Sequence, residues 1–285
     1  MNPRSIGRRV ALAPPQPGFL GAGHQVVEVI TPRDLAATDP FVLLMDDRVD
    51  YPAGRALGDA HPHAGLETVT FVVDGVVDTR EGKLRSGDVI WMTAGSGVVH
   101  GGEFRAPGGP MRFLQLWLTL PERQRAATPR FSHLRAAEVP VFRASGVEAR
   151  LYSGSTNGLV SPTPNHIPVT LVDVRLEPGG TFEQELPPRY NGFLYPLLGS
   201  VFVADASEAL TTRHVGWLDQ VDESAPSSLR IAAGPEGARV VLYCGERQNE
   251  RTVQRGPFVA GSLAAIEQMH LDYRAGHFIR TAAPI

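Results

Sequence analysis

Asp59-Ala60-His61-Pro62-His63-Ala64-Gly65-Leu66-Glu67-Thr68-Val69-Thr70-Phe71 is the stretch on which the reading of this chain turns. Its second part, running on to residue 73, is rich in Val, Thr and Phe and reads as a strand. Its first part sets two histidines either side of Pro62. In extended chain, residues i and i+2 point to one face, so the two imidazoles can converge on one ion. Proline fixes φ and stiffens the pair. A third histidine, His100, closes Gly87-Asp88-Val89-Ile90-Trp91-Met92-Thr93-Ala94-Gly95-Ser96-Gly97-Val98-Val99-His100. Imidazoles without a thiolate suit Fe(II), Mn(II), Ni(II), Cu(II) or Zn(II), and an open position suits redox chemistry on iron. The same residues also fit a surface turn and a core histidine. The other six histidines, His133, His166 and His214 among them, read as structural.

Outward from this stretch, short apolar segments alternate with turns. Strands are predicted at 24–30, 41–45, 66–73, 76–80, 88–92 and 113–120, then at 169–176, 182–186, 193–198, 200–204 and 240–244. Asp74-Gly75 reads as a tight hairpin turn. Thirty glycines and 24 prolines in 285 residues, with 7% aromatics, suit many short strands. One helical period stands out near the end, where Leu263, Ile266, Met269, His270 and Tyr273 share a face. The length suggests two domains. Two halves of one rhythm predict an all-β fold: two β-sandwich (jelly-roll) domains, 1–135 and 136–285, with a short C-terminal helix.

Several function classes drop out. A net charge of −3 with scattered basic residues gives no nucleic-acid footprint. No apolar run approaches the ~18–20 residues of a membrane span, and the first residues hold no apolar core of a signal peptide. The lone Cys244 excludes an internal disulfide framework and a cysteine-built zinc site. A cytoplasmic location is expected. Neither a P-loop, nor a dinucleotide fingerprint, nor a nucleophile elbow is present.

Residues 61–71, with Gly87-Asp88, Trp91-Met92-Thr93-Ala94-Gly95-Ser96-Gly97 and His100, resemble the two metal motifs of the pirin family, within the cupin superfamily. Asp39-Pro40-Phe41, Leu114-Gln115-Leu116-Trp117 and Gly256-Pro257-Phe258-Val259 extend the likeness over nearly the whole chain. The resemblance implies a bicupin, with a metal-binding cupin domain over 1–135 and a cupin-like domain without a metal site over 136–285. It implies iron held by three histidines and one glutamate. His61, His63 and His100 carry over directly. The glutamate does not, because the family pattern places it two residues after the third histidine, where Gly102 stands. Glu103 is one residue late. On a flat strand i and i+3 face opposite sides, so Glu103 reaches the ion only through a bulge or short loop at Gly101-Gly102. Glu67 is the other source of a carboxylate, since cupins at large use His-x-His-x3-Glu. On a regular strand it lies ~13 Å from His63, so it ligates only if the chain bends at Ala64-Gly65. Otherwise it supports a ligand histidine. In the second domain Phe182-Glu183-Gln184-Glu185-Leu186 takes the place of a His-x-His.

Two functions of different classes follow from the resemblance. One is a mononuclear Fe(II) dioxygenase of the quercetin 2,3-dioxygenase type, acting on a flavonol-like aromatic. Glu103 would serve as ligand or as the base taking the hydroxyl proton, and Val89, Trp91 and Phe113 would line the pocket or the plain core. The alternative is a metal-dependent regulator that docks on a protein partner. Neither reading calls for nucleic acid or membrane.

Overall fold

The computed structural model describes residues 1–79, 82–102 and 104–280. Of the described residues 55% are strand and 7% helix, so the fold is all-β. Two compact units form, and they interleave along the chain. One joins Pro14–Glu138 to Gln248–Ile285; the other joins Met1–Ala13 to Val139–Arg247. The contiguous division at 135/136 expected from the sequence therefore differs from the structure at both chain ends. Pairing explains why. Asn2–Arg4 lies parallel to the 20-residue strand Ser227–Glu246, and Ile6–Ala11 runs antiparallel to His214–Leu218. At the other end, Ile279–Arg280 pairs with Val98–His100, and Phe258 bridges to Ala64.

The unit built on 14–138 carries a seven-stranded sheet. Its order is Arg130–Leu134, Val89–Thr93, Leu66–Asp74, Gly109–Thr119, Phe41–Tyr51, His24–Ile30 and Gln16–Pro17, antiparallel throughout. Alternation sorts its side chains. Thr68, Thr70, Met92, Gln115, Trp117 and Phe131 fall on one face; Glu67, Val69, Trp91 and Leu116 fall on the other. Asp74-Gly75 does turn the chain, with Gly75 at φ +91°. The strand beyond it, Val76–Thr79, pairs with Gly82–Arg85 and not with Leu66–Asp74, so the expected hairpin between these neighbours does not form.

In the other unit a ten-stranded sheet encloses an aliphatic core, including Val147, Leu151, Val172, Leu194, Val240 and Leu242. Phe182, Gln184 and Leu186 of Thr181–Leu186 point inward, leaving Glu183 and Glu185 exposed. Both units repeat one device. Arg112 Nε and Nη2 donate to the two oxygens of Asp46 at 2.8 Å each, and Arg239 donates to Asp173 at 3.0 and 2.9 Å. Each acid is 66 residues before its arginine. In each unit the acid pairs with the residue two beyond the arginine, Asp46 with Leu114 and Asp173 with Val241. The two forks thus share spacing, register and geometry.

Candidate metal centre

Two strands of three residues each build the site. His61–His63 runs antiparallel to Val98–His100, with Val98 opposite His63, Val99 opposite Pro62 and His100 opposite His61. The i, i+2 rule puts His61 and His63 on one face, and the register sets His100 beside them. The ring centroids are 5.0 Å apart for His61–His63, 4.7 Å for His61–His100 and 5.2 Å for His63–His100. One ring nitrogen from each lies within 4.8 Å of the others, and among the described residues this is the group that could hold a metal ion.

Glycines let the two strands meet. A β-carbon on Gly65 would run into the Val259 carbonyl, and Gly65 adopts φ +75°. After His100 the strand stops, because Gly101 and Gly102 take φ +88° and +84°. A side chain at Gly101 would crowd the Asp59 carbonyl and the His61 ring at about 3 Å. The chain thus leaves the strand at the two glycines picked out from the sequence. Glu103 itself lies outside the described residues.

Burial keeps the His63 and His100 rings neutral. His100 is pushed down to about 3, first by burial and then by the charge of His61. Burial also holds His63 well below the ordinary imidazole range, reinforced by His100 and His61, while the Pro257 carbonyl pulls the other way. The buried Nε2 of His100 has no hydrogen-bond partner. Buried polar atoms of native proteins rarely stay unmatched, and a bound ion would match this one. His61 is exposed, and its Nδ1 donates to the Asp59 carbonyl at 2.7 Å, which leaves Nε2 with a free lone pair. This donor set fits a divalent transition metal.

Glu67 lies apart from this cluster. It sits on the opposite sheet face from Trp117, fully buried, accepting from Trp91 Nε1 at 3.0 Å and Thr93 Oγ1 at 2.7 Å. Val89 and Trp91 share that far face, so they do not line the histidine side; half-buried Phe113 lies on the near one. Trp117, four residues on from Phe113, meets the His63 ring edge-on at 4.9 Å, and Phe131 stands 6.1 Å from His100. Thr70 donates to Gln115 Oε1 at 2.7 Å on the same face. The sequence reading assigned none of Trp117, Phe131, Thr70 and Gln115 to the site. Their signal is the cross-strand register, which local patterns do not carry.

Comparison with known proteins agrees with this architecture. Residues 23–118 match the family model described as Pirin, and residues 171–279 match the Pirin C-terminal cupin domain. Human Pirin is 30% identical over 262 residues, covering 89% of this chain and 88% of that protein. Pirin-1 of Arabidopsis thaliana is 33% identical over 266 residues, with coverage of 89% and 88%. The crystal structure of quercetin 2,3-dioxygenase from Acinetobacter baumannii superposes with a TM-score of 0.83 at 25% identity, over 97% of this chain and 98% of that one. Two matched cupin domains and full-length relatives at this identity place the chain in the pirin family.

Proposed function

We propose that the chain holds one divalent metal, Fe(II) in the cell, on His61, His63 and His100, and oxygenates a flavonol-like aromatic in the manner of a quercetin 2,3-dioxygenase. The observation that carries this reading is the convergence of three imidazoles, the buried Nε2 of His100 among them without a hydrogen-bond partner. The similarity to the Acinetobacter enzyme supports the substrate class. When bound, the metal supplies Lewis acidity toward an enol oxygen and a redox partner for O₂. The chain's own residues do the rest. Burial keeps His63 and His100 unprotonated, so their lone pairs stay available at neutral pH. Trp117 and Phe131 wall the histidines with aromatic surface suited to a flat ring system. Gln115 accepts from Thr70 at its carbonyl oxygen, which would leave its amide N–H₂ as the donor for a substrate oxygen on that face. To Glu103 we assign the fourth ligand position or the role of base for the substrate hydroxyl, on the family resemblance. Zn, Mn, Ni and Cu are the alternative metals for such a site. A cytoplasmic setting completes the reading; among the described residues, no helix is long and apolar enough to cross a membrane.

Oxygen uptake by the Fe(II)-loaded protein with quercetin tests this. The expected result is substrate-dependent uptake that His61→Ala removes. Uptake no greater than that of His61→Ala overturns the enzyme reading for this substrate and leaves the metal-dependent regulator in its place.

A further inference from the structure

The ladder that carries the ligands is very short. Val98–His100 and His61–His63 are three residues each, and an isolated two-stranded pair is marginal at best in water. A third strand completes it. Ile279–Arg280 runs parallel to Val98–His100 on the side away from His61–His63, with Val98 beside Ile279 and Val99 beside Arg280. The Ile279 N–H donates to the Gly97 carbonyl at 3.2 Å.

Packing reinforces the pairing. With the imidazoles on one side of the ladder, alternation sends Val99 to the other. There Val99 joins Ala64, Phe258, Ile266 and Phe278 in a buried apolar cluster, with Tyr273 packed against it. Phe278 lies over Gly97, where any side chain would collide with its ring; Gly97 adopts φ +129°. The Phe278 ring is also 5.8 Å from Phe258 and 5.7 Å from Tyr273. The residues flanking His63 and His100 are thus gripped from behind by a segment far away in sequence.

We propose that Phe278 and Ile279 are positioning residues for the metal centre: they fix the His100 strand in register with the His61 strand, so that metal affinity and ordering of this closing segment are linked. The inference rests on the metal reading above. Neither residue belongs to the histidine cluster; they act through Gly97, Val98 and Val99. Linkage is reciprocal, so whatever factor the segment adds to metal affinity, bound metal adds to the segment's own order.

Four variants of the full chain test this, with Ni(II) alone as probe in competition with a chromophoric chelator. Ile279→Pro deletes the donor to Gly97 at a position whose side chain is already exposed; Ile279→Ala keeps that donor. Phe278→Ala removes the ring, and Phe278→Leu keeps apolar bulk. Ile279→Pro and Phe278→Ala should weaken Ni(II) about tenfold, the low end for residues that support ligand histidines. Ile279→Ala and Phe278→Leu should stay near wild type. In wild type, amide exchange at Ile279 should slow when Ni(II) is added. If Phe278→Ala fails to fold, Ile279→Pro decides, provided its metal-free melting temperature matches that of Ile279→Ala. Wild-type affinity in Ile279→Pro, with Ile279 exchange indifferent to Ni(II), overturns the proposal and leaves the metal reading intact. A wild-type protein that binds neither Ni(II), Fe(II) nor Zn(II) overturns both.

Discussion

At the scale of single residues, Glu67 shows how a buried carboxylate apart from the histidine cluster can serve the fold. Its oxygens face the indole N–H of Trp91 and the hydroxyl of Thr93 with no exposure to water. Glu67→Gln points an amide N–H₂ at one of those donors. The cost expected is about 1–3 kcal/mol, seen as a lower denaturant midpoint, because an unmatched buried group loses its full solvation. Metal stoichiometry should not change, and loss of Ni(II) from this variant would show that Glu67 acts on the ligand histidines. His61 and His63 were legible in the sequence because a period of two is enough to place them side by side; His100 joined them through the family resemblance, since its place depends on cross-strand register. Trp117 and Phe131 were not, since contact with a histidine depends on which strands pair, and no local pattern reports that. Gly101 and Gly102 were legible as the place where the strand must break.

Among elements, the turn before Val89–Thr93 depends on Asp88. One carboxylate oxygen accepts from the Arg85 N–H at 2.9 Å, the other from the Ala136 N–H at 2.8 Å, and His133 Nε2 lies 3.4 Å away. Burial alone pushes the Asp88 carboxyl up, but the bonds to His133, Ala136 and Arg85 outweigh it, so its pKa falls below the ordinary value. A carboxyl lowered on folding stabilises the protein above its unfolded pKa of ~3.9, and that contribution is lost as pH falls through the folded value. Asp88→Asn should therefore cost about 1–2 kcal/mol at pH 7, as charged hydrogen bonds become neutral ones. Its deficit against wild type should shrink below about pH 4; a deficit independent of pH in urea melts would refute the charge argument. Strand placement itself was largely legible. His24–Ile30 and Val169–Leu176 match their expected limits. Segments 193–198 and 200–204 fuse into one strand, Tyr190–Val203, because Gly199 at φ +65° absorbs a register shift without ending the pairing. A glycine that reads as a turn can equally be a bulge.

For the molecule as a whole, the repeated Arg–Asp fork makes a stability prediction confined to one unit. Arg239→Met leaves Asp173 buried without its bidentate partner, and should cost about 3–5 kcal/mol. Arg239→Met with Asp173→Leu should recover most of that, since a well-packed apolar pair often matches a buried ion pair. Guanidinium melts compare the two; equal losses would mean that the fork is not an isolated pair. The two-part rhythm of the sequence announced the two β units. The exchange of chain ends was hidden, because Asn2–Arg4 finds its partner beyond residue 226, and Ile279–Arg280 finds its own at Val98 and Val99. That exchange sets an order of events during synthesis. The histidines emerge from the ribosome early, but the strand that braces them follows only after all of Val139–Arg247. At roughly 5–20 residues per second the wait is on the order of ten seconds. Through that interval the three imidazoles are present without the strand that pairs beside His100, so on the proposed linkage any ion they meet is held more weakly than after that strand has docked.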